Sequence, residues 1–83
     1  MPSFLQVFSE AQAITKSDTD NILPQSTRLT DAVYVGGAGI VQAVFPNDKV
    51  VAFTAVAGEI IPIAVKRVNS TNTTATLMVA LYQ

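Results

Sequence analysis

The side chains best equipped for chemistry are six carboxylates (Glu10, Asp18, Asp20, Asp31, Asp48 and Glu59), three lysines (Lys16, Lys49 and Lys66) and many hydroxyls. The chain has no histidine and no cysteine. That removes the commonest general base, the commonest metal ligand, thiolate metal sites and disulfides together. A serine or threonine nucleophile needs a base within hydrogen-bond reach, and no spacing sets a lysine up for that task. A two-carboxylate hydrolase needs paired acids in a cleft. Most of these acids fall in turn-rich sequence, where Asp and Glu are ordinary solvated residues. The residues therefore read as a non-enzyme with no catalytic group and no cofactor.

Three fainter signals also dissolve. Asp18 and Asp20 have the spacing that opens a calcium loop, but the later ligands and the glycine of an EF-hand are missing, so no metal site is expected. Gly36-Gly37-Ala38-Gly39 lacks the glycine order and the following helix of a phosphate cradle, and reads as a hairpin turn. Asn69-Ser70-Thr71 and Asn72-Thr73-Thr74 match the glycosylation pattern but sit in a chain that does not read as secreted.

A chain of 83 residues makes one small domain and buries only roughly 60–65% of its unfolded surface. Disulfides, metals or oligomerisation usually help so small a core, and oligomerisation is the helper this composition leaves. The apolar share is 49% and the charged share 13%, about half the usual charged content. Apolar surface must then be shown somewhere, and contiguous patches of it mark partner contacts. The basic residues are Lys16, Arg28, Lys49, Lys66 and Arg67, with a net charge of −1. They form no stripe, so nucleic-acid binding is not expected. No apolar stretch is long enough for a bilayer-spanning helix, and the start of the chain lacks a signal-peptide pattern. Synthesis in a cytoplasm is the expectation.

The elements that must carry any interface are strands. Six of the charged residues lie in 1–31 and five in 32–83. Residues 1–13 read as an N-terminal arm with an apolar cluster, Phe4, Leu5, Val7 and Phe8, which docks on a neighbour or on the chain's own core. Ala11–Thr15 could make a short strand within it. Residues 14–83 read as the domain. The run from Lys16 to Asn21 is rich in side chains that bond local backbone, predicting turns or one capped helical turn. Strands follow at Ala32–Val35, Ile40–Phe45, Val50–Val56, Ile60–Val68 and Ala75–Tyr82, with Pro46-Asn47-Asp48 and Ala57-Gly58-Glu59 as turns. Pro62 removes a ladder donor and predicts an edge or a bulge. The pattern is all-β: a small antiparallel β-sandwich or barrel-like domain. On the last strand, Ala75, Leu77, Val79 and Leu81 read as the core face. Thr76, Met78, Ala80 and Tyr82 read as a semi-apolar outer face suited to a subunit interface, with Met78 and Tyr82 as its contact residues.

A longer order of residues carries a resemblance. It runs from Ile14-Thr15, Ser17-Asp18-Thr19, Leu23-Pro24 and Thr27-Arg28 to Tyr34-Val35-Gly36-Gly37-Ala38-Gly39. It continues through Val51, Phe53, Val56-Ala57-Gly58, Ile61-Pro62-Ile63, Val65 and Arg67-Val68, and closes on Thr73-Thr74-Ala75 and Ala80-Leu81-Tyr82. Over residues 14–83 this resembles the small spike-base proteins on the heads of tailed bacteriophages and gene transfer agents. The chain departs from the pattern where Val56 replaces a proline, where Asn72 replaces a glycine, and where Leu29–Ala32 lengthens the approach to Tyr34. Asn tolerates the left-handed conformation next best after Gly.

The resemblance implies a structural virion protein on the capsid exterior, either a head spike base or a decoration (cement) protein. Its implied partners are copies of itself, as a trimer or pentamer, and the major capsid protein, with a spike or fibre protein as a further candidate. The competing reading is a β-sandwich module binding a host-surface glycan or receptor. The lack of Trp and the presence of only Tyr34 and Tyr82 weaken it.

Overall fold

A computed structural model describes residues 7–23 and 28–83. Seven strands make up the described chain: β1 Glu10–Ala13, β2 Ala32–Gly37, β3 Gly39–Val44, β4 Val50–Ala55, β5 Glu59–Ile61, β6 Arg67–Val68 and β7 Thr76–Tyr82. One sheet has the order β1-β7-β2-β5 and the other β4-β3-β6. All pairings are antiparallel. The expected all-β sandwich is the fold.

The core between the sheets is built from small side chains. Val33, Val35, Met78, Ala80, Tyr82 and Ile61 come from the first sheet, and Val41, Ala43, Ala55 and Val68 from the second. Most are valine or alanine, which suit a thin sandwich whose sheets approach closely. Ile22 and Val65 complete the cluster from connecting segments.

The connections explain where this architecture differs from the expected one. Gly36–Gly39 is not a hairpin: β2 and β3 lie in different sheets, and the glycines carry the chain from one to the other. Gly39 has φ +155°, and a Cβ there would stand 2.5 Å from the Ala75 nitrogen and 2.7 Å from the Thr74 carbonyl carbon. The close approach is used, because Ile40 accepts bonds from Thr74 N and Ala75 N (2.9 and 3.2 Å). The local hairpin is β3–β4. Its turn begins at Pro46 and is closed by Asp48 N to Phe45 O (2.9 Å), with Asp48 at φ 67°.

The expected strand 60–68 is two strands. β5 stops before Pro62, Ile63 N bonds back to Ile61 O (2.9 Å), and the chain crosses to β6 in the opposite sheet. Thr30, 1% exposed, holds this crossing. Its hydroxyl donates to Ile63 O (2.7 Å) and accepts from Val65 N (3.0 Å).

Residues 16–21 form no helix. The Ser17 hydroxyl accepts from Thr19 N and Asp20 N (3.2 and 2.9 Å), a side-chain-closed turn. Residues 10–13, expected within the arm, are strand β1 and part of the sheet: Glu10 pairs with Tyr82 and Ala13 with Val79.

The face assignment on β7 is reversed. Leu77 has φ 53°, and this left-handed residue breaks the alternation, so Ala75 and Met78, three apart, both point into the core. From Met78 onward the inward residues are Met78, Ala80 and Tyr82 (4, 0 and 3% exposed). Leu77, Val79 and Leu81 face out.

Candidate assembly interface

Of the contact residues expected from the sequence, Phe4 and Leu5 lie outside the described residues. Val7 is 77% exposed, and Phe8 is half-buried. Met78 and Tyr82 belong to the subunit's own core, for the reason just given. The Arg28 guanidinium lies 4.5 Å from the centre of the Tyr82 ring, bonds Glu10 Oε1 (2.8 Å) and bonds the Gln83 carbonyl (2.9 Å). It therefore ties the start of β1 to the end of β7. The hydrogen bond to Glu10 holds the Arg28 pKa above its ordinary value. Burial pushes the Tyr82 phenol up, against the opposing pull of Arg28. Its hydroxyl has no hydrogen-bond partner.

Two other surfaces carry the exposed apolar residues. The first is the outer face of the four-stranded sheet. Register places Ala13, Val79, Tyr34 and Ile60 in one row across β1, β7, β2 and β5. Leu81 and Leu77 flank Val79 on the same side of β7. None of these six residues is charged. Leu77 is 78% exposed and Ile60 49%. Gly36 lies against Leu77, where a Cβ would stand 2.9 Å from the Leu77 Cβ. A leucine that is both exposed and left-handed costs stability on two counts.

The second surface is β4, an edge strand. Val50 and Val51 are 47 and 43% exposed, and Val56 just beyond is 65% exposed. β5 opposite is only three residues long and leaves part of the inward side of β4 uncovered. Phe45, Pro46, Asn47, Lys49 and Val51 line an open concavity of about 700 Å³ there. Phe45 and Phe53 form its aromatic floor, with ring centres 6.3 Å apart.

The remaining polar groups serve the fold. Asp18 accepts from Thr71 N and from the Thr71 hydroxyl (2.9 and 2.6 Å), and these bonds hold its carboxyl below the usual range. They pin the loop in which Asn72 takes the left-handed conformation (φ 65°). Asp48 is likewise lowered by its bond to Lys66. A hollow of about 270 Å³ beside β1 is lined by Gln12, Thr15, Ser17, Asp20 and Asn21 among others, with no nucleophile–base pair. Among the described residues no group of three or more acids gathers in a form that could hold a metal ion.

The apolar surfaces were partly legible. Consecutive Val50-Val51 within a strand puts an apolar side chain on each face, which is a sign of a strand uncovered on both. Nothing in the sequence marked Leu77 as left-handed, so the β7 face was misassigned.

No known family profile matches the chain, and no curated protein matches it. Among solved structures it is similar to a chain of the capsid of a native GTA (gene transfer agent) particle computed with C5 symmetry. The TM-score is 0.75, with 30% sequence identity over 98% of this chain and 90% of that one. Likeness in sequence and fold along nearly the whole of both chains places this protein in the family of capsid-associated structural proteins represented in that particle.

Proposed function

We propose that this chain is an exterior subunit of a virion-like particle, a head spike base or a decoration protein, that acts by oligomeric assembly and capsid binding. The observation that carries the reading is the end-to-end likeness to a chain of a GTA capsid. The outer face of the four-stranded sheet supports it. A subunit that stays alone in water has no use for an uncharged row of Ala13, Val79, Tyr34 and Ile60 crowned by Leu77. Buried against the shell or a neighbour, that row becomes an interface core. The proposed partners are further copies of the chain, three or five in a closed ring, and the major capsid protein. A spike or fibre protein would sit on top. A glycan- or receptor-binding role finds less support. Tyr82 is buried, and Tyr34 is the one tyrosine left near a surface.

The test is cosedimentation of purified protein with heads lacking it. Saturable binding in whole-number multiples of a vertex or shell site is expected. Failure to bind heads, with the protein folded, would overturn the reading.

A further inference from the structure

The open edge of β4 is built to receive a strand. Phe45 N bonds to Lys49 O (2.9 Å), and alternation from that bond along the β3–β4 register directs the backbone groups of Val51, Phe53 and Ala55 to β3. The N–H and C=O groups of Val50, Ala52 and Thr54 point to the free edge. No strand covers that edge among the described residues. Natural edges are usually blunted by charge, proline, a bulge or shortness. β4 is six residues long, reads Val-Val-Ala-Phe-Thr-Ala, and carries none of these within it. The apolar concavity of Phe45 and Val51 lies beside it and would take side chains from an added strand.

The sequence supplies a matching segment. The eight residues before Ser9 carry Phe4, Leu5, Val7 and Phe8 and no charged side chain. At about 3.3 Å per residue, eight extended residues reach about 26 Å, more than the ~20 Å length of a six-residue strand. Ser9 N bonds Tyr82 O, so this segment leaves from the β1 edge. That edge is at the far side of the sandwich from β4. β4 is joined to β5 by the short turn at Gly58, and β1 stands at the opposite end of the sheet from β5. Between the two, the crossing segment 62–66 runs over the end of the sandwich from which the arm departs, held there by Thr30.

We infer that the N-terminal segment of one copy adds to the β4 edge of a second copy, seating its apolar side chains in the Phe45–Val51 concavity. Donor and acceptor are different surfaces of the same chain, so the contact is head-to-tail, and it closes into a ring when the rotation permits. This rests on the assembly reading above and supplies its contact.

The test uses two full-length variants. Phe4→Asp with Leu5→Asp disables the donor. Val51→Lys disables the acceptor. Wild-type protein at about 10 μM is expected to show a closed oligomer by native mass spectrometry, and each variant alone at least a tenfold loss of assembled fraction with unchanged circular dichroism. Mixed, the two variants have one working donor and one working acceptor between them and should form a one-to-one dimer. A monomeric wild type, full assembly by either folded variant, or no dimer on mixing overturns the inference. Head binding is scored separately. Heads decorated equally well by both variants leave the capsid reading standing while this contact fails. Oligomers that ignore heads give the converse.

Discussion

Replacing Leu77 with asparagine should move folding stability and assembly in opposite directions. Leu77 is left-handed at φ 53° and 78% exposed. A left-handed non-glycine residue costs roughly 1–2 kcal/mol, and Asn is among the residues that tolerate the conformation best, so relief is worth about 1 kcal/mol. Full burial of a leucine is worth about 1.5–3 kcal/mol. About a fifth of that is already realised in the lone subunit, so Leu77→Asn forfeits about 0.5 kcal/mol there. The net effect on subunit stability should fall between zero and about 1 kcal/mol of stabilisation. The other four-fifths is realised only when a partner covers the side chain. Its loss should cost about 1.5–2 kcal/mol per contact, a weakening of roughly tenfold to thirtyfold. Urea unfolding reads the first quantity and titration onto undecorated heads the second. A variant destabilised by more than about 1 kcal/mol that still binds heads normally would refute the reasoning, because Leu77 would then be serving the subunit's fold.

Thr30→Val keeps the shape of a fully buried side chain and removes the hydroxyl that bonds Ile63 O and Val65 N. Two stranded backbone groups should cost about 2–4 kcal/mol in urea unfolding, and Thr30→Ser should retain most of it. Gly39→Ala drives a Cβ into the backbone of Thr74 and Ala75, whereas Gly58→Ala meets open space at φ +84°. The first should cost more than about 2 kcal/mol and the second about 1 kcal/mol, as read from thermal unfolding. The Asp18 carboxyl is depressed by its bonds to Thr71, so its contribution is present above the ordinary carboxylate pKa and is lost as the pH falls through the lower folded-state value. Asp18→Asn should flatten that acid limb of the stability curve, and an unchanged acid limb would count against the role.

The fold class was legible because turn chemistry punctuates the chain. Pro46-Asn47-Asp48 begins a real hairpin, Asn72 does take the conformation a glycine would, and β4 runs over nearly the expected residues. What stayed hidden depended on tertiary context. Gly36–Gly39 has hairpin composition, yet close packing against Thr74 and Ala75 sends the chain to the other sheet. Pro62 was read as a bulge or edge marker, and it ends an edge strand so that the chain crosses. The alternation on β7 was sound from Met78 onward. Its phase had been set from Ala75, on the far side of a left-handed leucine, so Met78 and Tyr82 were placed outside when they belong in the core. The interface row of Ala13, Val79, Tyr34 and Ile60 exists only through the register of four strands. No local pattern could display it.

The most direct test of the central claim is a cryo-EM difference map between particles made with and without this chain. The account predicts oligomeric density on the outside of the capsid that vanishes with the chain, with the Leu77 face of the sheet turned toward the shell or a neighbouring subunit. Identical maps, or difference density inside the head, would contradict it.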